Sequence, residues 1–196
     1  FRPVNRMTEA TATGRILLEL LTAGIGVWSG HTAWDSAAQG INAMLADMLS
    51  LQNIAPLEPD EADPSVGFGR VGTTSSQNTV GMIAQQLASA LGCPGCHVAG
   101  NTGLLAKRIG IVCGSGGESV PAAAAAGCQT LVTGEIKLHD ALTAQNHNMA
   151  VVSVGHHQSE LFAMERMSQE LHKALPDLHC WVSLKEADPL RWLPAT

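Results

Sequence analysis

The chain has no tyrosine, and its aromatic residues are three Phe and four Trp, only 4% of 196 residues. That leaves few flat faces on which bases could stack. Charge is also scarce: 14% of residues are charged, with 11 Lys+Arg against 17 Asp+Glu and a net charge of −6. No run of basic residues interrupts this acidic balance, so nucleic acid is an unexpected partner. No apolar run reaches the roughly 20 residues of a membrane span. The longest, Ile16 to Trp28, contains Glu19 and is softened by Thr22, Gly24 and Gly26. No apolar h-region of a secretory leader stands near the start. The chain opens at Phe1 rather than Met, which reads as a fragment or a processed product. The five cysteines are odd in number and scattered, at 93, 96, 113, 128 and 180. This suits a reducing compartment better than a disulfide framework, so a cytoplasmic location is expected.

What is present is a core. Apolar residues make up 45% of a 20.5 kDa chain, enough for one domain or two small lobes. A helix is expected over Thr8–Thr22, capped by Thr8 and stopped by Gly24. Ile25–Trp28 reads as a short buried strand, and His31–Asp35 as a polar loop before a helix over Ser36–Leu49. Residues 54–65 read as a surface loop, and Thr73–Asn78 as a small-polar link. The expected boundary therefore falls there, with a first lobe over 1–72 and a second α/β portion over 76–196. Beyond a helix over Thr79–Leu91, strands at 108–113, 130–133, 149–154 and 180–184 alternate with helices. That alternation means α/β with crossover connections. The helix after Gly155 is expected to bury Leu161, Met164, Met167, Ser168, Leu171 and Leu175.

Chemistry-bearing residues gather where these strands end. In Gly155-His156-His157-Gln158-Ser159-Glu160, an imidazole and a carboxylate four residues apart share one helical face. They make a half-site for a borderline divalent metal, or else a cap and a surface acid. In His31-Thr-Ala-Trp-Asp35, the aspartate is either a helix cap or a carboxylate aimed into a cleft. Gly114-Ser-Gly-Gly117 could hold an anion on backbone amides, or be only a tight strand-to-helix turn. Glu135 and His139 repeat the acid–imidazole spacing at another strand end. Cys93-Pro-Gly-Cys96-His97 spells the haem-attachment pattern, but haem attachment needs export and a zinc site needs two more ligands. The pair therefore reads as two loop thiols without an assigned role.

Together, His31-Thr-x-x-Asp35 with Gly40-x-Asn42, Gly69-Arg70-x-Gly72, Cys113-Gly-Ser-Gly-Gly117, Thr133-Gly-Glu135 and Gly155-His156-x-x-Ser159-Glu160 resemble the Nif-three-like family, whose members are labelled GTP cyclohydrolase I type 2 homologues. The resemblance implies a two-lobed α/β fold with its N-terminal part truncated, and a dinuclear metal site between the lobes. It matches Asp35, His156 and Glu160 to metal ligands. The family's early His-His pair is expected just before the segment matching Phe1-Arg-Pro-Val. Two divalent ions (Zn, Fe or Mn) are implied, incompletely held in this chain. Glu135 as general base and His31 as a group that orients Asp35 or shuttles protons complete the expected site. The implied function is hydrolysis of a nucleotide-like or other small molecule by a metal-activated water, in a cytoplasmic homohexamer without membrane contact. The alternative is a non-catalytic metal-binding oligomer acting as scaffold or regulator.

Overall fold

The computed structural model describes residues 4–74 and 77–191. Residues 75 and 76 of the expected polar link, and the Phe1-Arg-Pro start, lie outside the described residues. The chain divides into two compact units, Phe1–His31 and Thr32–Thr196. The division therefore does not fall at the expected 72–76 boundary. The strands on either side of that boundary, at 70–73 and 108–115, are paired to each other in one sheet.

The first unit holds helix α1 (Ala12–Thr22). Its cap is Thr11, not Thr8: the Thr11 hydroxyl accepts from the Gly14 amide at 3.1 Å, while Thr8 gives its carbonyl to the Thr11 amide. Gly24 stops the helix as expected. Its amide donates to the Leu21 carbonyl and that of Ile25 to Leu20, closing the last turn. The strand expected at Ile25–Trp28 does not form, and Val27 and Trp28 are 65% and 75% exposed. An apolar run signals a segment that gains from cover; it does not supply the partner strand.

In the second unit the single helix expected over 36–49 is two, α2 (Thr32–Ser36) and α3 (Ile41–Met48). Gly40 separates them. Its α-carbon lies so close to the Trp34 carbonyl that a Cβ would collide with that oxygen. There follow β1 (Gln52–Ala55), β2 (Glu58–Pro59), β3 (Gly67–Phe68), β4 (Arg70–Thr73), α4 (Val80–Ala90) and β5 (His97–Ala99). The regular part comprises β6 (Arg108–Ser115), α5 (Val120–Ala125), β7 (Thr130–Glu135), α6 (Leu138–Asn146) and β8 (Ala150–Ser153). It ends with α7 (His156–Leu161) and α8 (Ala163–Ala174). Thr79 caps α4 through the Met82 amide, as a helix start at that residue requires.

Six strands form one sheet in the order β1-β4-β6-β7-β8-β5. The β6-β7-β8 core is parallel, and the flanking pairs are antiparallel. Both faces are covered. Ile109, Ile111, Val132 and Val152 pack with Ile83 and Leu87 of α4 and Leu45 of α3. On the other face, Val112, Leu131 and Val151 pack with Val120 and Ala123 of α5 and Ala144 of α6. Alternating residues of each strand thus go to opposite layers, as a sheet buried on both faces demands. Among the described residues no helix is long and apolar enough to cross a membrane.

Two further expectations fail. Residues 180–184 form no strand; the place beside β8 is taken by β5, which pairs His97–Ala99 with Val151–Ser153. The long helix after Gly155 is two helices, and only Ala163 of α8 is fully buried. Leu171 and Leu175, expected inward, are 41% and 52% exposed, whereas Met164, Met167 and Ser168 on the earlier turns are half-buried.

Ile109→Ala should therefore cost about 2–5 kcal/mol, whereas Leu171→Ala should cost under about 1 kcal/mol, both read from urea unfolding. A pH effect follows from Cys128, buried beneath α5. Burial pushes its thiol from 9.0 up to about 11, against a smaller opposing pull from Arg108. The unfolded chain loses this proton first, so the stabilisation is complete below about pH 9 and is lost as pH rises toward 11. Unfolding free energy measured between those values should fall less steeply in Cys128→Ala than in the wild type.

Candidate functional site

The parallel strands β6, β7 and β8 run in register, with Thr133 opposite both Val112 and Ser153. Their C-terminal ends therefore form one edge, where open α/β sheets present ligand-binding groups. Between Val112 and Ser115 the β6–β7 register shifts by a residue. The bulge is made at Cys113-Gly114, with Gly114 at φ +63°. It turns the end of β6 and leaves room above Gly114, which α7 fills.

Ser159 of α7 ties the two elements. Its buried hydroxyl accepts from the Gly114 amide at 2.9 Å and donates to the His156 carbonyl at 2.8 Å. Residues one turn apart on α7 then stand over the bulge. A Cβ on Gly114 would lie 2.5 Å from Glu160 Oε1 and 3.2 Å from His156 Nε2. His156 is the first residue of α7.

His156 lies between two carboxylates. Its Nδ1 is 3.1 Å from Glu135 Oε1, at the end of β7, and its Nε2 is 3.2 Å from Glu160 Oε1. All three side chains are about half-exposed, so solvent and small molecules reach them. The expected pairing of Glu135 with His139 does not form on one helix. Glu135 ends β7, α6 starts only at Leu138, and His139 is exposed.

Asp35 lies on α2 and joins the edge through Cys113. The Cys113 thiol donates to Asp35 Oδ1 at 3.4 Å. Burial, then the negative charge of Asp35, then that of Glu160 push this thiol far above its ordinary value. Both carboxylates therefore act on one buried sulfur. Asn42, fully buried, fixes the arrangement: its amide donates to the Asp35 carbonyl at 3.1 Å, and its Oδ1 accepts from the Cys113 amide at 2.7 Å. Arg70 holds the next turn of chain. Its buried guanidinium donates to the carbonyls of Ser36, Ala37, Gly67 and Gly69, and burial lowers its pKa. It thus anchors the residues that follow Asp35 to the loop before β4.

The glycine loop after β6 is a strand-to-helix turn. The Gly114 and Gly116 amides are committed to Ser159 Oγ and Thr133 Oγ1, so neither is turned toward an anion. His31 ends the first unit, exposed and at φ +40°. Cys113, Asn42, Arg70 and Ser159 appeared in the sequence only as parts of motifs, with no role assigned. The signal available for Cys113 was its parity with Ile109 and Ile111 on the strand, which points it toward the layer that holds α3. Among the described residues, no three His, Cys, Asp or Glu side chains are grouped closely enough to hold a metal ion.

Gly114→Ala tests the bulge. The left-handed backbone and the contact with Glu160 should together cost about 1–3 kcal/mol in urea unfolding, well above the effect of an exposed glycine such as Gly95.

A family model described as Duf34/NIF3 (NGG1p interacting factor 3) matches residues 1–189. The chain is 28% identical over 194 residues to a GTP cyclohydrolase 1 type 2 homolog of Clostridium perfringens, covering 98% of this chain and 74% of that protein. It is 29% identical over 195 residues to NIF3-like protein 1 of Drosophila melanogaster, covering 96% of this chain and 64% of that one. Among solved structures, a Bacillus cereus protein related to NIF3 superposes with a TM-score of 0.88 at 17% identity, covering 98% of this chain and 80% of that one. A Staphylococcus aureus protein superposes with a TM-score of 0.85 at 22% identity, over 98% and 77% of the two chains. At these identities the structures carry the fold alone.

Proposed function

This chain belongs to the Duf34/NIF3 family, and from that premise we propose that it is a metal-dependent hydrolase akin to the GTP cyclohydrolase 1 type 2 homologues. It acts on a nucleotide-like or other small molecule, with His156 and Glu160 as a partial set of metal ligands that Asp35 would join on binding. The observation that supports this best is the carboxylate–imidazole–carboxylate row Glu135–His156–Glu160. A neutral imidazole carries one N–H and one lone pair. With Nδ1–H given to Glu135, the Nε2 lone pair faces Glu160 Oε1, an unfavourable meeting unless a proton or a cation stands between them. A carboxylate behind a histidine is the arrangement that orients metal-binding imidazoles. This supports an orienting role for Glu135 ahead of its expected role as general base.

The donor types present, imidazole nitrogen and carboxylate oxygen, suit zinc, iron or manganese. Their number suits part of one ion's coordination sphere and does not complete a two-metal site, since no group of three is assembled among the described residues. A bound divalent ion would supply an acidified water for hydrolysis. This chain's own residues orient the imidazole (Glu135), hold the Asp35 segment (Asn42, Arg70) and fix α7 on the bulge (Ser159). The exposed apolar residues Leu171, Leu175 and Trp181 support self-association as part of the same reading.

The test is thermal unfolding of wild type and Glu160→Ala with and without Zn²⁺ or Mn²⁺. At a hundredfold excess over Kd, the wild type should gain about 5–10 °C, and the variant should gain little. Equal shifts in both proteins would remove Glu160 from the site. A shift in the wild type with no turnover of GTP or of small amides and esters would favour the metal-binding scaffold over the enzyme.

A further inference from the structure

The turn Cys93-Pro94-Gly95-Cys96 plays no part in the function above, yet it is built against the same site. It joins α4 to β5, and β5 pairs with β8 so that His97 stands opposite Ser153. The Cys93 thiol donates to the Val154 carbonyl at 3.6 Å, two residues before His156. The Cys96 thiol reaches back to the Ala84 carbonyl of α4 at 3.8 Å. Cys96, His156 and Glu160 line one cleft of about 450 Å³. Its far wall, around Asp188 and Pro189, is held by a 2.7 Å bond from Gln158 to Asp188.

Both thiols are half-buried, and each makes only a weak sulfur–carbonyl contact. Cys93 and Cys96 stand three residues apart in the one short connection between α4 and β5, and burial, with a smaller contribution from the charge of Cys96, raises the Cys93 thiol. Burial raises Cys96 as well. A soft-metal site would need more donors, and among the described residues no group of three or more forms here. A disulfide needs only the pair.

We infer that Cys93 and Cys96 form a reversible disulfide by exchange with a small-molecule disulfide such as oxidised glutathione, and that this bond reshapes the His156 end of the cleft. Cys96, on the cleft, loses its proton and attacks one sulfur of the small disulfide. A mixed disulfide forms, and one thiolate leaves and takes up that proton. Cys93, deprotonated in turn, attacks the Cys96 sulfur and expels the second thiolate, which is protonated likewise. Two protein thiols are oxidised, and one small disulfide is reduced to two thiols. In the disulfide Cys93 has no S–H left to donate, so its bond to the Val154 carbonyl is lost. The end of β8 loses that bond just before Gly155-His156. Because both thiols are raised, exchange is slow near neutral pH and quickens as pH climbs.

The inference does not rest on the metal reading, and neither does its test. The full chain is incubated with oxidised glutathione, free thiols are alkylated, and disulfides are mapped by mass spectrometry. Amide hydrogen exchange over residues 154–160 is compared in the reduced and oxidised wild type and in the Cys93→Ser, Cys96→Ser double variant. The expected result is a Cys93–Cys96 bond reversed by dithiothreitol. Exchange over 154–160 should be about two- to threefold faster in the oxidised form, the scale set by losing a hydrogen bond at the weak end of the range, with no response to glutathione in the variant. Should the double variant not fold, Cys96→Ser replaces it; it keeps the Cys93–Val154 bond and must match the reduced wild type. A lasting glutathione adduct without the 93–96 bond, a Cys96–Cys180 bond, or a 93–96 bond with unchanged exchange would each overturn the inference.

Discussion

The site depends on a single extra residue in β6. At Cys113-Gly114 the strand slips by one position against β7, and Gly114 adopts a left-handed backbone. Without that bulge, Cys113 would continue the ladder and α7 would have no seat above the strand. With it, the Gly114 amide is left for Ser159, the Cys113 amide for Asn42 and the Cys113 thiol for Asp35. Three helices, α2 and α3 from one part of the sequence and α7 from another, are thus fastened to adjacent residues of one strand. The coupling is polar and buried, so each bond omitted would leave an unsatisfied group in the interior.

This explains why the functional side chains are half-exposed while their supports are not. Asn42, Arg70 and Ser159 are almost wholly buried, whereas Glu135, His156 and Glu160 keep about half of their side-chain surface. The buried layer sets position, and the exposed row remains available for exchange with solvent, cations or substrate. Arg70 illustrates the cost of such positioning: its charge is removed from water and met by four carbonyl dipoles. The arrangement holds together the turn after Asp35 and the loop before β4.

The mixed sheet also accounts for where the cysteine turn lies. The parallel core leaves β8 with an open edge, and an exposed edge invites pairing. Here β5 returns to cover it, antiparallel, and brings Cys93 and Cys96 to the strand that leads into His156. Covering an edge and placing two thiols beside the site are thus consequences of one chain path.

Much of the architecture was legible in the sequence because it rests on local rules. Short apolar stretches alternating with helical segments marked β6, β7 and β8; Thr79 and Gly24 marked helix ends. The motif at Gly155–Glu160 placed an imidazole and a carboxylate on one helical turn, which is a matter of period alone. Other features needed the fold. Ile25–Trp28 and residues 180–184 have strand-like composition, but a strand requires a partner edge, and composition names none. Leu171 and Leu175 have the right period for burial, but whether a helix face meets a core is decided by where its axis runs. The partnership of Glu135 with His156 rather than His139 was likewise beyond reach, because it follows from strand register. Sequence by itself determined the alternation of elements and the chemical types at the strand ends, since these follow from hydrophobic period and turn chemistry. Only the tertiary structure decided which of those groups meet, because meeting depends on a one-residue bulge and on the order of strands, and both are settled by non-local packing.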